Sequence, residues 1–213
     1  QNTNDKRVEG FLFKSGYNLK VIEFNCWITL ANDFEILFFK DGFYDSGLAI
    51  KTSDKTIINL NDCEVKDRLR CEEVIKITGE CDILATQFSY AAWKGGIANV
   101  DWRQLAAKEK INTMKLQASC FKPTVIIPFA SYIYFSNNAN FYLNDAANKP
   151  NDVIEAFIGH DTNVNVMKPF EVFDDLESDI DNAESVNFWN RAARVIDRNN
   201  LKGYDLVPLR QLE

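Results

Sequence analysis

Thr56-Ile57-Ile58-Asn59-Leu60-Asn61-Asp62-Cys63 is the stretch whose reading decides the fold. Its first five residues form a short apolar run of strand length, bounded by a polar turn. A polar turn at the carboxyl end of a core strand is where open α/β sheets place their ligands and chemistry. Asp62 is therefore the first candidate residue. A carboxylate there serves as metal ligand, general base or turn-former, and the adjacent Asn61 adds weight to the turn.

Upstream of this stretch the chain reads as an antiparallel meander. Leu19–Leu30 is mixed apolar and β-branched, Phe34–Lys40 follows the turn signal Ala31-Asn32-Asp33, and Ser46–Lys51 and Thr56–Leu60 flank the polar loop Thr52–Lys55. Downstream the character alternates. Helices are expected over Val65–Ile77, Trp102–Ala118 (with Asp101 as N-cap), Asn151–Ile158 and Asp181–Asp197. Between them lie the apolar strands Cys81–Thr86 and Thr124–Ile127, the second closed by Pro128, and an edge strand over Asn163–Met167. The tail Gly203–Glu213 reads as irregular. Strands first and βαβ units after make an α/β chain, with residues 1–213 forming a single domain.

Three strands thus end in polar or special sequence: at Asn61-Asp62, at Gln87–Tyr90 and at Pro128–Tyr132. If they are parallel neighbours, these ends share one rim. Gln87, Ser89 and Ser131 are then the substrate-binding candidates, although such side chains more often satisfy loop backbone. No catalytic residue is assigned.

Composition bounds the function. The net charge of -7 argues against a nucleic-acid footprint and against an anionic membrane surface. No apolar run approaches the roughly 18–20 residues of a membrane span. No secretory signal is visible, and the five cysteines are an odd number without a close pairing motif, which points to free thiols and a cytoplasmic setting. A single histidine, His160, means that no histidine-cluster site is complete within this chain. His160 follows a short helix and reads as structural, and the acidic run Asp174–Asp179 as a solvated loop.

Ser46–Asp62 resembles the metallo-β-lactamase superfamily segment in which a hairpin leads to a strand ending in a metal-bridging Asp. Asp82–Trp93, Pro128–Asn140 and Asn144–Asn148 are similar to the metallo-β-lactamase-like domain of CMP-N-acetylneuraminate hydroxylase and its bacterial relatives. The resemblance covers about Ser46–Lys168. It implies an αβ/βα sandwich of which this chain is the C-terminal half, with Asp62 as metal ligand. Two departures stand out: Asp62 follows Asn61 where most members have Gly, and the H-x-H-x-D-H cluster does not occur. The mid-chain histidine of many members falls near Tyr44 or Asp45, so Asp45 is the second metal candidate, an oxygen donor that favours iron or manganese over zinc. The late histidine falls near Ala130 or Ser131.

The resemblance therefore implies a divalent metal (zinc, iron or manganese) held mostly by residues outside this chain. Its partners are a small anionic substrate and either a missing N-terminal half or a second copy. The implied function is metal-activated water chemistry of a hydrolase. A degenerate, metal-free binding or scaffold protein and part of a CMP-sialic acid type hydroxylase system are the alternatives. No iron–sulfur pattern is present.

Overall fold

A computed structural model of the protein describes residues 5–43, 45–174, 176 and 180–194. Its elements are α1 (Arg7–Lys14), β1 (Ile28–Ala31), β2 (Phe34–Asp41), β3 (Asp45–Thr52), β4 (Thr56–Asn59), α2 (Arg68–Thr78), β5 (Ile83–Gln87), α3 (Val100–Phe121), β6 (Val125–Ala130), α4 (Pro150–Ala156), β7 (Asn163–Val164) and α5 (Ala183–Arg194), with a short 3-10 helix at Phe141–Asp145. The strands form one seven-stranded sheet in sequence order. β1 to β4 pair antiparallel. β4 to β7 pair parallel. The strand ends at Asn59, Gln87 and Ala130 therefore share one rim, as their sequences imply.

Alternation along the strands assigns the two faces. Leu37, Phe39, Ala49, Ile58, Leu84 and Ile126 are fully buried on one face. They pack with Cys71 and Val74 of α2, Met114, Ala118 and Phe121 of α3, Val153 of α4 and Phe157, which caps α4. On the other face Ile36, Phe38, Leu48, Ile50, Ile57, Ile83 and Ile127 are only half-buried. The chain thus presents one covered and one half-exposed apolar sheet face.

Local chemistry sets the boundaries. Asp67 caps α2 by accepting the Arg70 N–H at 2.9 Å. α3 begins one residue before the expected Asp101 cap, with Asn99 at its N-cap. Asp101 lies in the first turn, where its charge meets the positive end of the helix. α4 starts with Pro150 in its first turn and with the Asp152 carboxylate accepting the Lys149 N–H at 2.6 Å.

Four expectations are corrected. The stretch upstream of β1, read as part of the strand meander, contains the helix α1; it buries no residue, so its amphipathic pattern leaves no core signal. Of Leu19–Leu30 only the last part pairs with β2, and Asn25 adds one backbone bond to Phe38 at 2.7 Å. Pro128 does not close its strand but lies within β6: β7 reaches only Val125 and Ile126, so no N–H is needed on that side. The expected edge strand Asn163–Met167 shortens to two residues. All five cysteines are free thiols. Among the described residues no helix is long and apolar enough to cross a membrane. Tyr44, most of the acidic run, the end of the last expected helix and the tail lie outside the described residues.

Gly47 lies opposite Phe39 across the β2–β3 ladder. A Cβ at Gly47 would fall 2.0 Å from Cζ of the buried Phe39 ring. Gly47→Ala must displace that ring, with an expected loss of about 1–3 kcal/mol. The check is a urea melt: the midpoint falls while the slope is unchanged. Adding Phe39→Leu should recover part of the loss, and an unchanged midpoint in Gly47→Ala would refute the packing account.

Candidate functional site

The site begins with a tight turn. The Cys63 N–H donates to Leu60 O at 2.8 Å, and the Asn61 N–H donates to Asn59 Oδ1 at 2.8 Å. Asn61 has φ +48°, the left-handed region that glycine fills most easily and Asn tolerates next best. That geometry accounts for Asn at a position where the resemblance expects Gly.

Beyond the turn Asp62 meets β5. The Gln87 side-chain amide donates to Asp62 Oδ1, and the Lys110 ammonium donates to Gln87 Oε1. A carboxylate, an amide and an amine from β4's end, β5's end and α3 are thereby joined in one line. These three residues line a cavity of about 720 Å³, together with Glu64, Lys66, Lys94, Glu109 and Thr113. Its floor is fixed by a second polar line. The Thr86 hydroxyl donates to Gln117 Oε1 at 2.7 Å, and Gln117 Nε2 donates to Val65 O at 2.9 Å, all buried. Burial lowers the Lys110 pKa, Lys66 and Lys94 lower it further, and Glu64 and Asp62 oppose them.

The structure separates the other candidates from this line. Asp45 opens β3 opposite Asp41 and is not part of the cavity lining. Asp41 is buried, accepts the Glu64 N–H at 2.5 Å and pairs with Arg70 at 2.8 Å. Ser89 is buried, and its hydroxyl has no hydrogen-bond partner among the described residues. Ser131 lines a smaller cavity of about 240 Å³, with Tyr132 and Trp189, whose rings stack at 3.9 Å. His160 lies at the end of α4 with its ring 5.0 Å from that of Phe157.

A metal is the group that the resemblance implies, and the donor set tests it. Burial, then Asp41 and Asp45, push the Cys63 thiol up to about 12. Among the described residues no three His, Cys, Asp or Glu side chains converge to hold a metal ion. By themselves these residues do not fit a metal.

Two basic residues deserve correction and addition. Arg103, in the first turn of α3, is 1% exposed. Its guanidinium pairs with Asp145 at 2.6 Å, donates to Gly96 O at 2.6 Å and Ile97 O at 3.1 Å, and lies 5.1 Å from the Tyr142 ring centroid. It is a structural clamp on the loop before α3. Lys110 escaped the reading of the sequence. The signal was there: Lys110, Thr113 and Gln117 repeat at helical spacing beside Ala106 and Met114, polar residues on the core-facing stripe of α3.

No protein-family model matches the sequence, and no curated protein is similar to it in sequence. Among solved structures the chain is similar to a point mutant of CmlA beta-hydroxylase, with TM-score 0.52 and 8% identity over 75% of this chain and 34% of that one. It is also similar to CmlA itself, a diiron beta-hydroxylase from Streptomyces venezuelae, with TM-score 0.51 and 8% identity over 74% of this chain and 35% of that one. The fold is metallo-β-lactamase-like. At this identity the likeness is one of fold alone. The chain spans about a third of the length of the structures it matches. In the metallo-β-lactamase-like frame of this chain, Asp62 and Gln87 stand at the carboxyl rim of the parallel strands.

Arg103→Met tests the clamp. It leaves two carbonyls and Asp145 without their cation, with an expected loss of about 2–3 kcal/mol. Amide exchange over Gly95–Ile97 should quicken at the same time. The Arg103 hydrogen bond holds the Asp145 carboxyl below the usual range, so its contribution is present above the unfolded pKa. The stability gap between the two proteins should therefore narrow as pH falls below about 4. Equal stability at pH 7 would overturn the clamp.

Proposed function

We propose that this chain is one sheet-and-helix layer of a metallo-β-lactamase-like enzyme domain that acts on a small anionic substrate. The observation that carries the reading is Asp62, presented by a left-handed turn at the carboxyl rim and held by Gln87 at the mouth of the large cavity. The half-exposed apolar face of the sheet supports a second layer packing on it, supplied by a missing half or a second copy. The remaining metal donors then come from beyond the described residues, with Asp62 as this chain's contribution and Asp45 as the weaker candidate. Zinc, iron and manganese all stand as candidates.

Two chemistries belong to this reading. Hydrolysis follows from the superfamily resemblance. Hydroxylation gains support from the diiron hydroxylase whose fold the chain shares, and a CMP-sialic acid type hydroxylase system is one form of it. A second reading, a metal-free binding or scaffold protein, is favoured by one observation: no three donor side chains converge among the described residues.

Elemental analysis of the intact native protein, beside Asp62→Ala, separates the readings. Stoichiometric metal in the native protein that is lost in the variant upholds the enzyme. Absence of metal from both overturns it in favour of the binding protein. A sizing measurement tests the second layer independently. The chain expressed alone should self-associate through its half-exposed sheet face, and a stable monomer would count against the two-layer arrangement.

A further inference from the structure

The large cavity carries two lysines, Lys94 and Lys110, that make no direct ion pair among the described residues. Lys66 is exposed and paired with Glu64 at 2.7 Å. Lys94 is half-buried, lines the cavity, and makes no hydrogen bond or ion pair among the described residues. Lys110 is half-buried, and its one bond is to the neutral amide oxygen of Gln87. A half-buried ammonium without a counter-charge is costly, and a ligand that supplies the charge removes the cost.

The backbone next to Lys94 is held in place. Gly95 has φ +83°, and a Cβ there would meet Asn99 Cβ at 2.6 Å. Gly95 O accepts from the Tyr142 hydroxyl at 2.9 Å, and Gly96 O accepts from Arg103. The loop therefore fixes the backbone that carries Lys94, and the ordering cost on binding falls on its side chain. At Lys110 the fields of Lys66 and Lys94 outweigh those of Glu64 and Asp62. The cavity volume of about 720 Å³ exceeds that of an inorganic anion and matches a small organic molecule.

We infer that the cavity between β5 and α3 binds a dianionic oxyanion group of a small organic ligand, with Lys94 and Lys110 as its binding residues. This deepens the proposed anionic substrate and rests on that reading for its place at the rim, but not on any metal. Thr113 and Asn112 line the same cavity as neutral donors. Asp62, Glu64 and Glu109 also line the cavity, and their charge disfavours excess anion.

The test is calorimetric titration of the native protein with methyl phosphate at pH 7 in the presence of a chelator, with acetate as the monoanionic control. Methyl phosphate should bind more tightly than acetate. Lys110→Met and Lys94→Gln should each weaken it by about tenfold or more, with unchanged circular dichroism. Lys94→Gln lies on a loop, outside every helix and strand, and guards against a folding defect in the first variant. Affinity should fall on raising the pH from below the ordinary lysine range of about 10.4, because Lys110 sits among Lys66, Lys94, Glu64, Asp62 and Glu109 with its pKa lowered. No binding, no preference for the dianion, or indifference to both substitutions would overturn the inference. Binding that the chelator abolishes would assign the anion to a metal, overturning the lysine site while upholding the metal part of the proposed function.

Discussion

The Asp41 carboxylate holds the loop that carries Asp62. It lies at the end of β2, 6% exposed, and takes the Glu64 N–H on one oxygen and Arg70 on the other. Arg70 in turn donates to Lys40 O at 2.7 Å and pairs with Glu73 at 3.0 Å. One partly buried ion pair thus ties β2, the loop after β4 and the start of α2 together. Removing Arg70 leaves the buried Asp41 carboxylate without its cation, a loss of about 1–3 kcal/mol. From the far side, Gln117 of α3 fixes the same loop through Val65 O. Asp62 sits on backbone anchored at both ends, which explains how an exposed carboxylate keeps a defined direction.

The helix face of the sheet does two jobs that compete. In the C-terminal half of α3, Met114 and Ala118 close the core. Lys110, Thr113 and Gln117 lie beside them at helical spacing and line the polar cavity. An apolar residue at Gln117 would leave Val65 O without its donor and Thr86 without its acceptor. Polar residues on a buried stripe therefore mark where α3 stops serving the core and starts serving the rim.

Most of the architecture was legible because turn chemistry and apolar runs agree along the chain. Thr56–Asp62, the hairpin at Thr52–Lys55 and the three parallel strand ends all follow from local pattern, and the sheet order places them as that pattern implies. What stayed hidden depends on contacts between distant residues. Nothing local marks Arg103 as buried, yet it pairs with Asp145, 42 residues away. Pro128 reads as a strand end only if β7 is assumed long. α1 has no buried face to betray it. Of the site, Asp62 and Gln87 were visible as strand-end residues, whereas Lys110 required knowing which stripe of α3 faces the rim.

The line from Asp62 through Gln87 to Lys110 makes these three residues one electrostatic unit. Gln87 has a single amide with two ends, and each end is oriented by its partner: the NH₂ by the carboxylate and the oxygen by the ammonium. A ligand that draws Lys110 away frees the Gln87 oxygen, and a cation that takes Asp62 frees the NH₂. Gln87 can serve both partners only in the orientation seen here. In the proposed site an anion at Lys110 and a cation at Asp62 would therefore be coupled through one side chain, with the neutral amide standing between the two unlike charges.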